Sequence, residues 1–380
     1  MLTPHDELLC HQLPTTFDHV SQSDLRWTER IVMYGFDRSG DINVMTGLAR
    51  YPNRNVTDAY VMITRRRTVA GGQEARVVRM STEINPESGP LGTYTVGPFS
   101  YRVEEPLRTV RAVLEPNDQG VSMDLRLRGQ FPTYEQTPAF HRSRGRVNED
   151  ARRFYQNGEL EGWIEIDGER IEIDTRRWWF GRDHSWGVRN GPGGGSLGEG
   201  QHLQPQEIPD GTLYYMGIFQ FEYQLGHFAQ RETSTGERWQ FEGEILHPIA
   251  TARPAATIID VEHDLKFRSD LRVISGGTFT VHRGDRTSAT IDVTPLTDFW
   301  PGLAGYMEVG GYASGHWRGR EFIDGFTVDP ADLNVIKPVS FLSETLCEVR
   351  MTEPDGVRVG HGLVEMVFVG AYPRYGYTGW

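Results

Sequence analysis

The sequence predicts an all-β protein arranged as two consecutive antiparallel, barrel-like sheets. Three observations carry that expectation. Runs of alternating polarity recur along most of the chain, and the gaps between them are filled by Gly, Pro, Asn and Asp. The composition, with 43 Gly, 21 Pro, 9 Trp, 15 Tyr and 18 Phe, suits many short strands joined by tight turns. The chain yields roughly eighteen such runs, more than one small barrel can use.

In chain order, residues 1 to 24 are short, mixed and interrupted by Pro, and form a lead-in. WTERIVMYGFD and INVMTGLARYP make a first hairpin around Ser39 and Gly40, and DAYVMITRRRTVA with EARVVRMSTEI makes a second around Gly71-Gly72. TYTVGPFSYRV, LRTVRAVLEP and VSMDLRLRGQF continue the alternation. FPTYEQTPAFHRSRGRVNEDARR lacks it and reads as a long connection with a short helix. ELEGWIEI and ERIEIDT flank Asp167-Gly168, a strong signal for a type I′ hairpin turn. After residue 212 the rhythm resumes with LYYMGIFQFEYQLGHF and runs to the end, broken only by PADLNVIKPVSFL. The expected division is an N-terminal β domain over 1–175 and a C-terminal one over 176–380. The second would carry the strand RRWWFGRDHSWGVR and the Gly-rich stretch 190–212.

A net charge of −13 argues against nucleic acid as a partner, because its phosphates would be repelled. Cys10 and Cys347 are the only cysteines and show no framework spacing, which fits a reduced cytoplasmic setting. No run is long and apolar enough for a membrane helix. A small apolar molecule is the expected partner, and a homodimer is left open.

RRWWFGRDHSWGVR is the stretch richest in chemistry. As a strand it places Phe180, Arg182, His184, Trp186 and Val188 on one face and Gly181, Asp183, Ser185 and Gly187 on the other. The first face sets an imidazole and a guanidinium between aromatic walls, as a site for an apolar substrate requires. The second is nearly bare, as a face pressed on another layer would be. The competing reading is a core histidine among core tryptophans. Directly after it, the loop 190–212 reads equally as a lid or as passive surface.

GWIEIDGERIEI followed by GRDHSWGVR resembles the two-domain lipocalin-like superfamily of carotenoid 1,2-hydratases, AttH-like proteins and certain fungal Diels-Alderases. The likeness is nearest to a bacterial branch with an RDHSWGxR signature, here Arg182 to Arg189, and it extends to TGLARYPNRNV near the start and GHGLVEMVFVG near the end. It implies two calyx-shaped β domains, an apolar cavity and no organic cofactor. In the hydratases a His-x-Trp pair works with a Tyr-x-Asp pair on a following strand. His184 and Trp186 match the first pair. Tyr214 and Tyr215 are followed two residues later by Met216 and Gly217, so the Asp is absent. Protonating an isolated alkene needs a strong, well-aimed acid, so the expectation moves to gentler proton transfers beside a carbonyl or phenol, to elimination, or to cyclisation.

His184 is therefore the expected acid-base group, with Arg182 and Tyr215 polarising the substrate. Asp183, on the opposite face, is expected to buttress Arg189 or a neighbouring strand. Trp178, Trp179, Trp186, Tyr214, Phe219, Trp317 and Glu365 are the expected substrate contacts. The absence of HExxH, HxH and a cysteine cluster gives no reason to expect a metal, and no strand-to-helix elbow of the kind that presents a serine nucleophile is expected. The expected function is a cofactor-independent lyase or isomerase of hydratase, dehydratase or cyclase type, acting on a terpenoid, polyketide-like or aromatic molecule. The alternative is a carrier or sensor of such a molecule.

Overall fold

The computed structural model describes residues 9, 13–66, 72–85, 90–143, 145–189 and 211–379. The first thirteen strands are β1 (Trp27–Asp37), β2 (Ile42–Tyr51), β3 (Val56–Arg66), β4 (Gln73–Thr82), β5 (Thr93–Val96), β6 (Phe99–Glu105), β7 (Thr109–Leu114), β8 (Val121–Gly129), β9 (Tyr134–Glu135), β10 (Ala139–Ser143), β11 (Arg146–Ile166), β12 (Glu169–Ile173) and β13 (Trp178–Val188). They build one sheet in the order β4-β3-β2-β1-β13-β11-β8-β7-β6-β5, with β9, β10 and β12 also paired to β11. The sheet curls on itself. Side chains from strands far apart in that order, such as Met33, Val61, Val110, Leu125 and Phe180, meet in one buried core.

The rest is β14 (Gly211–Gln220), β15 (Leu225–Thr233), β16 (Arg238–Leu246), β17 (Ala256–Phe267), β18 (Ile274–Arg283), β19 (Ser288–Phe299), β20 (Phe322–Val328), β21 (Leu342–Glu353) and β22 (Gly356–Gly370). All but β20 close into an eight-stranded barrel, β14-β15-β16-β17-β18-β19-β21-β22. Its interior is filled by Tyr215, Phe219, Phe228, Phe279 and Phe368 among others. β20 instead extends the first sheet by pairing with β4. The two bodies meet face to face, where Val32, Tyr34 and Trp179 pack on Phe299, Trp300, Leu346 and Leu363.

The all-β class and the two-sheet organisation agree with the sequence reading. Asp167 and Gly168 both have positive φ, 52° and 84°, as a type I′ turn requires. Three expectations change. The strand count rises because 134–153 is not a helical connection: it forms β9, β10 and the start of β11, whose pairing with β13 compensates for its weak alternation. The signature strand β13 does not belong with the second half of the chain; it lies between β1 and β11 in the first sheet. Of the stretch 190–212, residues 190–210 lie outside the described residues, and Gly211 and Thr212 begin β14.

Candidate functional site

The two faces of β13 have separate fates, and the nearly bare one meets the barrel. Each of its residues is paired on both sides: Ser185 with Arg30 and Arg153, Asp183 with Val32 and Tyr155, Gly181 with Tyr34 and Asn157. Alternation sends all of these toward the junction between the two bodies. Gly181 leaves room there, since a Cβ on it would lie 2.2 Å from the Tyr34 hydroxyl. From the barrel side, period 2 turns Tyr214 and Met216 of β14, Leu342, Glu344 and Leu346 of β21, and Leu363, Glu365 and Val367 of β22 outward.

Within this junction the carboxyls of Glu344 and Glu365 sit on directly paired positions. Such a pair has Cβ atoms about 5 Å apart. Glu365 is also the cross-strand partner of Met216. The family pattern wants a carboxyl two residues past a tyrosine on this strand. Here the position after Tyr214 is apolar, and the acid comes from the next strand over.

Burial, then the neighbouring Glu365 and Asp183, pushes the Glu344 carboxyl well above the usual range. Burial likewise raises Glu365, against the pull of Arg153. No hydrogen bond to either carboxyl occurs among the described residues. A carboxyl raised by burial and left without a fixed partner among the described residues has the character of a general acid.

The opposite wall is cationic. Arg153 Nε lies 3.2 Å from Asp183 Oδ2, and its Nη1 donates to the Tyr155 hydroxyl at 2.7 Å. Arg189 Nη1 donates to Ser185 Oγ at 3.0 Å. Asp183 therefore braces Arg153 rather than Arg189. Arg30 lies over the Tyr306 ring, 4.5 Å from its centroid. A mostly apolar cavity of about 750 Å³ is lined by Met307, Leu333, Asn334, Lys337, Pro338, Phe341 and Val369. Val369 shares an outward face with Glu365, four residues or roughly 13 Å along β22.

A model of a family of unknown function, DUF8625, matches residues 2–378. The chain belongs to DUF8625. No curated protein matches it. Among solved structures, the AttH-designated protein NE1406 of Nitrosomonas europaea superposes with a TM-score of 0.52 at 12% identity, over 95% of this chain and 98% of that one. Kievitone hydratase of Nectria haematococca gives 0.46 at 10%, covering 97% and 96%, and CghA gives 0.47 at 11%, covering 90% and 88%. The DUF8625 chain thus shares the AttH-type fold that its signature suggested.

The structure scatters the expected site residues of this DUF8625 member over four places. Arg182, His184 and Trp186 face the hollow of the curled first sheet. There His184 Nε2 sits 2.9 Å from Glu29 Oε1, and its ring meets Phe154 and Trp186 edge-on at 5.3 and 5.4 Å. Buried Arg182 donates to Gln156 Oε1 at 3.0 and 2.7 Å and to the Tyr101 hydroxyl at 3.3 Å. Trp178 is part of the same core. Tyr215 and Phe219 point into the packed barrel, so Tyr215 does not meet His184. Trp317 is 53% exposed, outside any strand. Only Tyr214, Trp179 and Glu365 reach the junction, Trp179 stacked on His361 at 5.5 Å. Glu344, Arg153 and Tyr60 went unread, although a Glu between Leu342 and Leu346, like Glu365 between Leu363 and Val367, is the signal of an acid on an apolar face. The described residues contain no group of acidic, His and Cys side chains fit to hold a metal ion.

Proposed function

We propose that this protein is a cofactor-independent lyase or isomerase that moves a proton on an apolar substrate held at the junction of the two sheets. The observation that carries the reading is the Glu344–Glu365 pair, raised by burial and facing Arg153 and Asp183 across the junction. Glu365 acts as the acid, and Glu344 shares its proton and returns it. Tyr155 and Tyr214, also pushed up by burial, stay neutral and serve as hydrogen-bond donors to a carbonyl or phenol oxygen. The substrate's apolar body occupies the Met307–Phe341 cavity. A hydration, dehydration or cyclisation of an activated double bond suits this equipment, and a carbonyl-bearing polyketide-like or terpenoid molecule is the substrate class.

A second reading keeps the acid-base role on His184, favoured by its contact with Glu29 inside a frame of Phe154 and Trp186. One experiment separates the two. Molecules extracted from the purified protein are identified by mass spectrometry and returned to wild type, Glu365→Gln and His184→Ala. The junction reading expects product from wild type and His184→Ala and a loss on the order of 10² or more in Glu365→Gln. The reverse ranking moves the chemistry to the first sheet, and a ligand recovered unchanged from all three leaves a carrier.

A further inference from the structure

Two polar groups of the junction are left over by the chemistry above, and both neighbour Tyr306, the residue before cavity-lining Met307. Arg189 makes one side-chain hydrogen bond, to Ser185 Oγ, and among the described residues no carboxylate lies within ion-pair distance of it. Its neighbours are Arg153, Arg30, Tyr306 and Asp183; burial first, then the two guanidiniums, bring it down to about 10, still a cation at neutral pH. Tyr60 is 4% exposed and its hydroxyl has no hydrogen-bond partner. That hydroxyl lies among Tyr306, Glu344, Arg30 and Asp183, and the Tyr60 and Tyr306 rings meet edge-on at 6.4 Å. Tyr306 is joined directly to Met307, which lines the cavity.

Leaving a buried phenol unpaired costs about 1–3 kcal/mol, and among the described residues half-buried Arg189 has no carboxylate partner, so the two groups together offer a place to an anionic acceptor. Burial raises Glu344 and Glu365 toward the neutral form, which leaves the guanidiniums of Arg30, Arg153 and Arg189 beside the carboxyls of Asp183 and Asp58. A planar guanidinium recognises a carboxylate with two parallel hydrogen bonds, and one hydroxyl can add a third.

Building on the junction reading above, we propose that the ligand is an apolar molecule bearing a carboxylate, bound by Arg189 and Tyr60 with its hydrocarbon part in the Met307–Phe341 cavity. This names the ligand class and two specificity residues, and it holds whether or not the bound molecule is then transformed. Lys337, at the exposed side of the same cavity, is the competing cation.

The test is calorimetric titration of the full-length protein with two probes of equal chain length, dodecanoate and dodecanol. Wild type should bind the acid at least tenfold more tightly than the alcohol. Arg189→Gln should erase that preference, Tyr60→Phe should reduce it several-fold, and Lys337→Gln should leave it in place. Tyr60→Phe removes only an unpartnered oxygen and keeps the test if Arg189→Gln fails to fold. Equal binding of the two probes, binding of neither, or a preference that survives Arg189→Gln and vanishes in Lys337→Gln would overturn the proposal. Glu365→Gln should keep the preference, so a failure of the catalytic reading is seen separately, in turnover.

Discussion

Glu344 and Glu365 are placed where a carboxylate is costly and a carboxylic acid is not. Their ordinary value is 4.5, and both are raised in the folded chain. The sign of the linkage follows. Both states carry protons below about pH 4.5, so the contribution to stability is whole there; above it the unfolded chain ionises while the folded chain holds its protons, and stability falls as pH rises through the raised values. His227 works the other way. Buried with its ring 3.9 Å from Tyr134, it is pulled down to about 3, so it destabilises the fold as pH drops below 6.5. Chemical denaturation from pH 5 to 9 should show wild type losing stability relative to a Glu344→Gln, Glu365→Gln double variant, by up to about 1.4 kcal/mol per pH unit for each acid over the window in which it stays protonated. Parallel curves for the two proteins would mean that the carboxyls titrate normally.

The element that decides the architecture is β13, and its glycines do the geometric work. Gly187 has φ +123°, and a Cβ there would lie 2.1 Å from the Asp150 carbonyl of β11. A Gly187→Ala change should therefore force β13 and β11 apart and cost about 1–3 kcal/mol in denaturant unfolding, with a larger loss at the junction than in the barrel by hydrogen exchange. Most of the element pattern was legible in the sequence, because alternation and Asp-Gly or Gly-Gly turns mark hairpins locally. What alternation could not give was which face of β13 looks where. The face of Arg182, His184 and Trp186 is the more ornate one, yet the plain face of Gly181, Asp183 and Ser185 is the one that meets the barrel, because small residues let Tyr34, Asn157 and Arg30 of adjacent strands fill the space. The missing acid was illegible for a related reason: the cross-strand register that sets Glu365 opposite Met216 is a product of barrel closure, 149 residues apart in sequence.

At the scale of the molecule, the two bodies are tied by more than apolar contact. β20 leaves the barrel's part of the chain to become the edge strand of the first sheet, and Arg79 of β4, only 2% exposed, is held by Asp324 of β20 with Nε–Oδ1 2.9 Å and Nη2–Oδ2 2.6 Å. Arg79 also donates to the Val309 carbonyl at 2.8 Å and lies over the Tyr312 and Phe326 rings. Asp324→Ala strands that guanidinium and should cost on the order of 2–3 kcal/mol, lowering the unfolding midpoint of both bodies together. Two separate transitions, only one of them shifted, would show that the bodies stand independently. A resemblance in sequence pointed to two such bodies, but not to this exchange of a strand, since REFIDGFTV alternates like any strand and carries no mark of the sheet it joins.

The account rests on a junction that keeps a carboxyl protonated at neutral pH, and infrared spectroscopy reads that state without a substrate. Wild type at pH 7 should show the carbonyl band of a protonated carboxylic acid, weakened in Glu344→Gln or Glu365→Gln and lost in the double variant. A wild-type spectrum with only ionised carboxylates at pH 7 would contradict it.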